Sequence, residues 1–123
     1  MWVFKQSTGE LFDYTGKLID KGYAGMGIGK DNPAMQDVKN VGPIPEAMYH
    51  IGAPVNDTKL GPWALPLTPL AGFEDQMFGR SGFYMHSDSL THPGQASEGC
   101  IVISTTARMA IVQSGDKVLE VIA

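Results

Sequence analysis

Short apolar runs separated by polar turn residues open the chain, and they predict β-strands. Residues 2–6 and 11–14 form two such runs, and the Ser-Thr-Gly-Glu segment between them is typical of a hairpin turn. Side chains alternate between the two faces of a strand, so the aromatic residues of each run share a face. In the second run these are Phe12 and Tyr14, which we expect to face a core. Residues 17–20 follow a Thr-Gly turn as the next extended segment.

The middle of the chain also alternates short apolar runs with prolines and glycines. Residues 48–51 read as a strand after a proline-rich approach. Four prolines lie among the leucines of 52–72, so we expect an irregular or edge-strand excursion there. A strand over 83–85 then delivers His86, and the β-branched run at 101–104 predicts another strand.

One helix is predicted, near the C-terminus, over residues 105–114. Ser104 or Thr105 is placed to cap its start, and Gly115 suits the left-handed residue that ends a helix. Met109 and Val112 fall on one face of this helix, among alanines.

A closing strand over 117–122 completes the predicted sheet. A chain of 123 residues buries about two-thirds of the surface that it exposes when unfolded, which is enough for one core. The sequence therefore predicts a single domain over 1–123 that is mainly β and has one short helix near the C-terminus.

Charge and composition exclude several classes of function. A formal net charge of −4 leaves no basic stripe for phosphates, so nucleic acid is not an expected partner. A single cysteine excludes an internal disulfide. The first residues lack the pattern of a signal peptide, and no apolar run reaches the length of a membrane span. We expect a soluble protein that is synthesised in the cytoplasm and does not use Sec export.

A glycine-rich segment over 22–30 invites comparison with the loops that bind phosphates. The spacing does not fit, because Ala24 stands where the first glycine of a phosphate loop belongs and Asp31 follows Lys30. We interpret the segment as a surface loop.

The chemistry of the chain is concentrated in residues 83–104, which hold the only cysteine, Cys100, and two of the three histidines, His86 and His92. A free thiol is a weak nucleophile at neutral pH and needs a neighbouring base or donors of hydrogen bonds. His86 follows one predicted strand and Cys100 precedes another, so the ends of these two strands could place the imidazole beside the sulfur. We expect Gly99 to give a substrate carbonyl access to N–H donors of the Gly99 and Cys100 backbone.

The remaining residues of this stretch leave alternatives open. Ser87, or its carbonyl, is placed to hold the His86 ring in one tautomer. Cys100 is equally consistent with a small buried apolar residue. A metal site would combine His86, Asp88, His92 and Cys100, although their spacing matches no common zinc pattern. The third histidine, His50, is interpreted as a strand residue.

The motif around the cysteine resembles a known family. His86-Ser87, a loop, and then Ser97-x-Gly99-Cys100 before aliphatic residues is similar to the signature of the L,D-transpeptidase catalytic domain. The Pro-rich segment 42–46 ahead of Tyr-His-Ile is similar to the upstream strand of that family. The opening tryptophan, the Gly-Tyr-Ala-Gly segment and the same Pro-rich segment resemble more closely the compact L,D-transpeptidase-like effectors of type VI secretion.

This resemblance implies a β-sandwich or barrel and a cysteine enzyme that modifies peptidoglycan stem peptides, without a cofactor or metal. Cys100 would be the nucleophile, His86 the base and Gly99 the residue of the oxyanion site. Ser87 and Ser97 would orient these groups.

The residues that would contact the substrate are assigned from their types and positions. Arg80 would anchor a carboxylate or cap a turn, and His92 would face the substrate or lie on the loop surface. Asp88 would orient a histidine or an amine, or be solvated. The reaction would be an L,D-carboxypeptidase, transpeptidase or D-amino-acid exchange reaction in the periplasm of a target cell. An immunity protein and a secretion apparatus are the implied protein partners.

Two residues, Glu98 and Arg108, suggest functions other than the one that the resemblance implies. Glu98 stands where classical members have histidine, and a carboxylate beside the thiol would raise the pKa of Cys100. An inactive module that binds the cell wall is therefore one alternative. The other is a sortase-like transpeptidase with Arg108 as its arginine, although Arg108 falls in the predicted helix.

Overall fold

The computed structural model describes residues 1–123, and strands make up most of its regular structure. Short 3₁₀ turns lie at Gly27–Gly29, Pro33–Met35 and Glu74–Gln76. The strands are β1 (Trp2–Lys5), β2 (Glu10–Phe12), β3 (Leu18–Lys21), β4 (Tyr23–Ala24), β5 (Ala47–Ile51), β6 (Val55–Asp57), β7 (Gly61–Pro69), β8 (Phe83–His86), β9 (Ile101–Val102) and β10 (Val118–Ile122), and the α-helix is α1 (Thr105–Ser114).

All ten strands belong to one sheet that nearly closes into a barrel. The order is β3-β2-β1-β10-β5-β7-β8-β9-β4, and β6 pairs with β7 off this path. The two end strands, β3 and β4, are separated along the chain by Gly22 alone. A Cβ on Gly22 would lie 1.7 Å from the Val102 carbonyl oxygen, so only glycine allows the chain to cross β9 this closely. This arrangement confirms the predicted mainly β fold with one short helix.

The opening hairpin forms, but its second strand is shorter than expected. Trp2 and Phe4 of β1 are buried as a pair on one face. In β2 the core residue is Leu11, and Tyr14 is 78% exposed. The prediction that Phe12 and Tyr14 face the core is wrong because Asp13 accepts hydrogen bonds from the Thr15 N–H and hydroxyl and turns the chain there.

The proline-rich segment contains the longest strand, which corrects the prediction of an irregular or edge excursion. β7 lies between β5 and β8 and also pairs with β6. The Pro66 carbonyl accepts from the Gly52 N–H at 2.8 Å, so the missing N–H of Pro66 faces the position where β5 has just ended. Pro66 therefore removes no hydrogen bond between β7 and β8.

Helix α1 forms where the sequence predicts it, with Ser104 rather than Thr105 as its cap. The Ser104 hydroxyl accepts from the Ala107 N–H at 3.1 Å, and Gly115 ends the helix with φ of 73°. Met109 and Val112 are exposed, and the buried side chains are Ala107, Arg108 and Ile111. The face that contains Met109 and Val112 is therefore turned to solvent, and an arginine occupies the middle of the buried face.

Two smaller findings complete the fold. His50 lies in β5 with its side chain exposed, as expected for a strand residue. The longest helix has ten residues, and no helix is both long and apolar enough to cross a membrane.

Candidate active site

A cavity of about 640 Å³ opens beside the end of β8 and holds both Cys100 and His86. The turn between β6 and β7 forms one wall, and the loop after β8 forms the other. Its lining includes Met26, Thr58, Lys59, Leu60, Gly61, Pro62, His86, Ser87, Asp88, Ser89, Leu90, His92, Gln95, Ala96, Glu98 and Cys100.

Cys100 lies just before β9, with its sulfur against the backbone of β8. The Tyr84 N–H donates to Sγ at 3.3 Å, and the Gly82 carbonyl lies 3.8 Å from Sγ. Burial raises the pKa of the Cys100 thiol, and nearby Glu98 adds to that effect. The Tyr84 N–H, Lys59 and Arg80 lower the pKa of the thiol. The thiol is therefore protonated at neutral pH in the free protein.

His86 ends β8 and is only 2% exposed. Its Nδ1 lies 2.8 Å from the Ser87 carbonyl oxygen. A carbonyl only accepts, so Nδ1 carries the proton in this contact and the lone pair of the neutral ring is on Nε2. Burial lowers the pKa of His86, and the Arg108 cation contributes to the decrease. The neutral, basic form of the ring is thus favoured.

The pairing of β8 with β9 brings the thiol and the imidazole to the same cavity. These strands are parallel, and His86 is the register partner of Val102. Cys100 precedes Val102 by two residues, so it lies on the same face as His86, displaced along the strand. These directions of the pKa favour a neutral thiol and a neutral imidazole in the free protein.

Ser97 and Gly99 organise the turn that leads into Cys100. The fully buried Ser97 hydroxyl accepts from the N–H groups of Gly25 (2.9 Å) and Gly99 (3.0 Å) and donates to the Cys100 carbonyl (2.6 Å). The expectation that the Gly99 N–H is an oxyanion donor is therefore wrong for this structure. The Cys100 N–H donates no hydrogen bond within the protein and remains the candidate donor.

Arg80 lies behind this turn rather than in the cavity, which corrects its predicted role as an anchor for a substrate carboxylate. Its guanidinium is buried, and Nη1 and Nη2 donate to backbone carbonyls. These are the carbonyls of Gln36 (2.5 Å), Pro43 (2.8 Å), Gly42 (2.9 Å) and Glu98 (3.3 Å). Arg80 thereby joins the Pro-rich segment to the cysteine turn. The sequence could not show this because the acceptors are backbone groups.

Asp88 orders the loop after β8 instead of lying free in the cavity. Its carboxylate accepts from the Tyr23 hydroxyl at 2.6 Å and from the N–H groups of Ser89 and Gly94. The Tyr23 hydroxyl also accepts from the Ala96 N–H, and Lys30 lies over the Tyr23 ring while donating to the Gly94 carbonyl. These bonds hold both ends of the loop.

His92 is exposed at the rim of the cavity, within the same loop. Its ring Nδ1 lies 3.0 Å from the Thr91 hydroxyl, and its backbone N–H donates to the Ser89 hydroxyl. His92 lines the cavity, and its contact with a substrate stays a prediction.

Lys59 is a cavity residue that sequence reasoning missed. It lies in the turn between β6 and β7, where the Asp57 carboxylate accepts from the N–H groups of Lys59 and Leu60. Its ammonium forms no ion pair, since the one salt bridge in the protein joins the N-terminal amine to Asp116. The Asp-Thr-Lys-Leu-Gly pattern is a turn signal, but only the pairing of β7 with β8 brings this turn to Cys100.

A model of one protein family, described as the Tlde1 domain, matches residues 19–121. The chain belongs to the Tlde1 domain family. This confirms the suspected L,D-transpeptidase-like, type VI effector family at the level of the family, and with it an enzyme that modifies peptidoglycan. The comparison with curated proteins finds no match.

The positions of the side chains bear on two alternatives that the sequence left open, a metal site and a sortase-like site. No three side chains among His, Cys, Asp and Glu cluster as metal ligands, so the proposed metal set is not assembled. Arg108 lies in α1 as predicted and is directed at backbone and hydroxyl oxygens, not at the cavity. The sortase-like alternative therefore lacks the arginine that the sequence offered for it, since Arg108 is not directed at the thiol.

Proposed function

We propose that this chain is a cysteine enzyme that cleaves the terminal D-Ala from the stem tetrapeptide of peptidoglycan. The observation that carries the proposal is the shared cavity of Cys100 and His86, with His86 Nδ1 occupied by the Ser87 carbonyl. That contact leaves Nε2 as the basic atom of the ring. The family assignment supports the class of substrate.

In the proposed acylation step, His86 removes the thiol proton as Cys100 Sγ attacks the carbonyl that joins the L-centre of diaminopimelate to D-Ala. A C–S bond forms, and the carbonyl oxygen takes up negative charge near the Cys100 N–H. The C–N bond then breaks, and protonated His86 returns the proton to the amine of D-Ala. The raised pKa of Cys100 and the lowered pKa of His86 favour transfer during attack over an ion pair formed in advance.

The resulting thioester is resolved by water or by an amine. Water gives a carboxypeptidase, and the amine of a D-amino acid gives exchange or transpeptidation. His86 again serves as the base, because it regains its neutral form when D-Ala departs.

The charges of the cavity suit a substrate with both carboxylates and an amine. Lys59 has no carboxylate partner within the protein and lies in the wall that faces Cys100. It replaces Arg80 as our candidate for binding the carboxylate of D-Ala. Glu98 is exposed in the same cavity and is available to the amine of diaminopimelate.

The setting we propose is the periplasm of a target bacterium, reached through a secretion apparatus. An immunity protein in the producing cell is the partner expected for such an activity. These proposals rest on the effector family.

The decisive experiment is incubation of the purified protein with disaccharide tetrapeptides, with and without free D-amino acids. Mass spectrometry should detect released D-Ala or an exchanged product. Cys100→Ala and His86→Ala should abolish both. His50→Ala is the matched control, because His50 is exposed on β5 and lies outside the cavity. A folded wild-type protein that gives neither product would contradict the proposal.

The second candidate is a module that binds the cell wall without cleaving it, and the raised pKa of Cys100 is the observation in its favour. Binding to purified sacculi without any change in their peptides would support this candidate. Release of D-Ala that depends on Cys100 would exclude it.

A further inference from the structure

Arg108 is the most extensively bonded side chain near the cavity, and none of its partners is an acid. It is fully buried, and each of its five N–H groups has an oxygen acceptor. Nε donates to the Ser104 carbonyl (3.3 Å), and Nη1 donates to the carbonyls of Pro62 (3.3 Å) and Trp63 (2.8 Å). Nη2 donates to the hydroxyls of Thr105 (2.8 Å) and Ser87.

These acceptors come from three segments that meet behind the cavity. One is the start of α1, one is the start of β7 and one is the residue directly after β8. Ser87 provides the carbonyl that holds His86, and Pro62 lines the cavity wall opposite. Trp63 has a positive φ of 58°, which a non-glycine residue adopts only when its surroundings hold it there. Arg108 is thus bonded to the hydroxyl of the residue that follows His86 and to the backbone at the start of β7.

A side chain needed only to fill this space would not carry a charge. Burying a guanidinium without a carboxylate is costly, and an apolar residue of similar size would avoid that cost. What an apolar residue cannot supply is five donors in a rigid plane. The cation also faces His86, whose other charged neighbours, Asp88 and Asp57, act in the opposite direction.

We infer that Arg108 is a positioning residue, which fixes the Ser87 carbonyl and the start of β7 so that the His86 ring keeps its Nδ1–H tautomer toward the backbone and Nε2 toward the cavity. The inference rests on the proposed function for its kinetic consequences. Its structural consequence, the tautomer of His86, stands apart from any activity.

Two substitutions separate the geometry from the charge. Arg108→Lys keeps a cation but cannot make five planar bonds, and Arg108→Met removes both. For Arg108→Lys we expect kcat for D-Ala release to fall about tenfold to a hundredfold with KM nearly unchanged, because the base is displaced while the substrate contacts remain. For Arg108→Met the acidic limb of the pH profile should in addition move to higher pH, because loss of the cation raises the pKa of His86.

The tautomer is read independently by ¹⁵N NMR of the histidine side chains. The wild type should show His86 protonated at Nδ1 when neutral, and both Arg108 variants should show a mixed population. Met109→Ala is the control, because Met109 is the exposed neighbour of Arg108 on α1. Ser87→Ala is the milder variant if an Arg108 variant does not fold, since it removes one acceptor and keeps the Ser87 carbonyl.

A folded Arg108→Lys protein with the wild-type tautomer and a kcat within twofold of the wild type would overturn the inference. If that variant is unfolded, a wild-type tautomer and kcat in Ser87→Ala would overturn it. A wild-type protein without activity on tetrapeptides would contradict the proposed function alone, because the tautomer would still test the role of Arg108.

Discussion

The Gly99 N–H donates to the Ser97 hydroxyl over 3.0 Å, and the same hydroxyl donates to the Cys100 carbonyl over 2.6 Å. This closed arrangement shapes the turn before the thiol. It also removes the Gly99 N–H from the set of groups that could stabilise an oxyanion. The Ser-x-Gly-Cys motif therefore includes a structural serine, whose hydroxyl holds the backbone of Gly99 and Cys100.

Ser97→Ala should destabilise the protein by about 3 kcal/mol, because it leaves the N–H groups of Gly25 and Gly99 and the Cys100 carbonyl without their partner in a buried site. Urea unfolding measures the change. Ser81→Ala is the matched control, since Ser81 is exposed in the turn before β8 and should change stability by less than about 0.5 kcal/mol. Equal stability of the two variants would show that the Ser97 bonds contribute little.

Gly99→Ala should be more harmful than the same change at another glycine with positive φ. Gly99 has φ of 138°, and a Cβ there would lie 2.5 Å from Arg80 Nη2. Gly72 also has a positive φ, 93°, but a Cβ there would meet nothing within 4 Å. We expect Gly72→Ala to cost about 1 kcal/mol from backbone strain alone.

The excess of Gly99→Ala over Gly72→Ala in urea unfolding then measures the collision with Arg80. Equal losses would mean that the Arg80 side chain moves aside without cost. Loss of activity in Gly99→Ala with little loss of stability would instead indicate that the turn shifts and carries Cys100 with it.

The sequence predicted which residues share the cavity better than it predicted the contacts of Arg80. The concentration of Cys100 and His86 within one stretch singled out two residues that the structure brings to one cavity. Arg80 was assigned to a substrate because an arginine near a site suggests an anion. Its partners are backbone carbonyls brought together by the fold, and no spacing in the sequence reveals them.

The errors in the fold have a similar origin. Prolines suggested that 52–72 was irregular, but a proline is tolerated between strands where its missing N–H faces an unpaired position, as at Pro66. The helix was found from its capping residues, which act locally. Its buried face was missed because Arg108 is buried for its hydrogen bonds rather than for its apolarity.

The bond from Tyr23 to Asp88 should couple the loop after β8 to the sheet. Tyr23→Phe and Asp88→Asn should each increase proteolysis within residues 88–96. The double variant should show less than the sum of the two effects, because both changes act on the Tyr23–Asp88 bond, while Tyr23→Phe alone also removes the acceptor of the Ala96 N–H. Tyr14→Phe is the control, since Tyr14 is exposed and bonded to nothing in this network. Additive effects of the two changes would contradict the coupling.

The same carboxylate predicts a dependence of stability on pH. Burial raises the pKa of Asp88, but donation from Tyr23, Gly94 and Ser89 outweighs burial and lowers it below its usual range. A lowered pKa stabilises the fold above the unfolded value of about 4, and that stabilisation is lost as the pH falls through the folded value. The difference in Tm between the wild type and Asp88→Asn should therefore be constant from pH 7 to about pH 5 and should shrink in more acidic buffers. A difference that stays constant down to pH 3 would contradict this account.

The reactivity of the thiol tests the electrostatics of the cavity directly. Burial raises the pKa of Cys100 first, Glu98 raises it further, and Lys59 lowers it. Glu98→Gln should therefore speed alkylation by iodoacetamide at pH 7, because more thiolate is present, and Lys59→Gln should slow it. The full profiles of rate against pH should shift to lower pH for Glu98→Gln and to higher pH for Lys59→Gln, with similar limiting rates.

Iodoacetamide is chosen because it is uncharged. A charged reagent would be attracted or repelled by the charge of the cavity, so its rate would not report the pKa of Cys100 alone. Glu120→Gln, which changes a charge on β10 away from the cavity, is the control and should leave the profile in place. Profiles of Glu98→Gln and Lys59→Gln that coincide with the wild type would show that neither charge contributes to the pKa of Cys100.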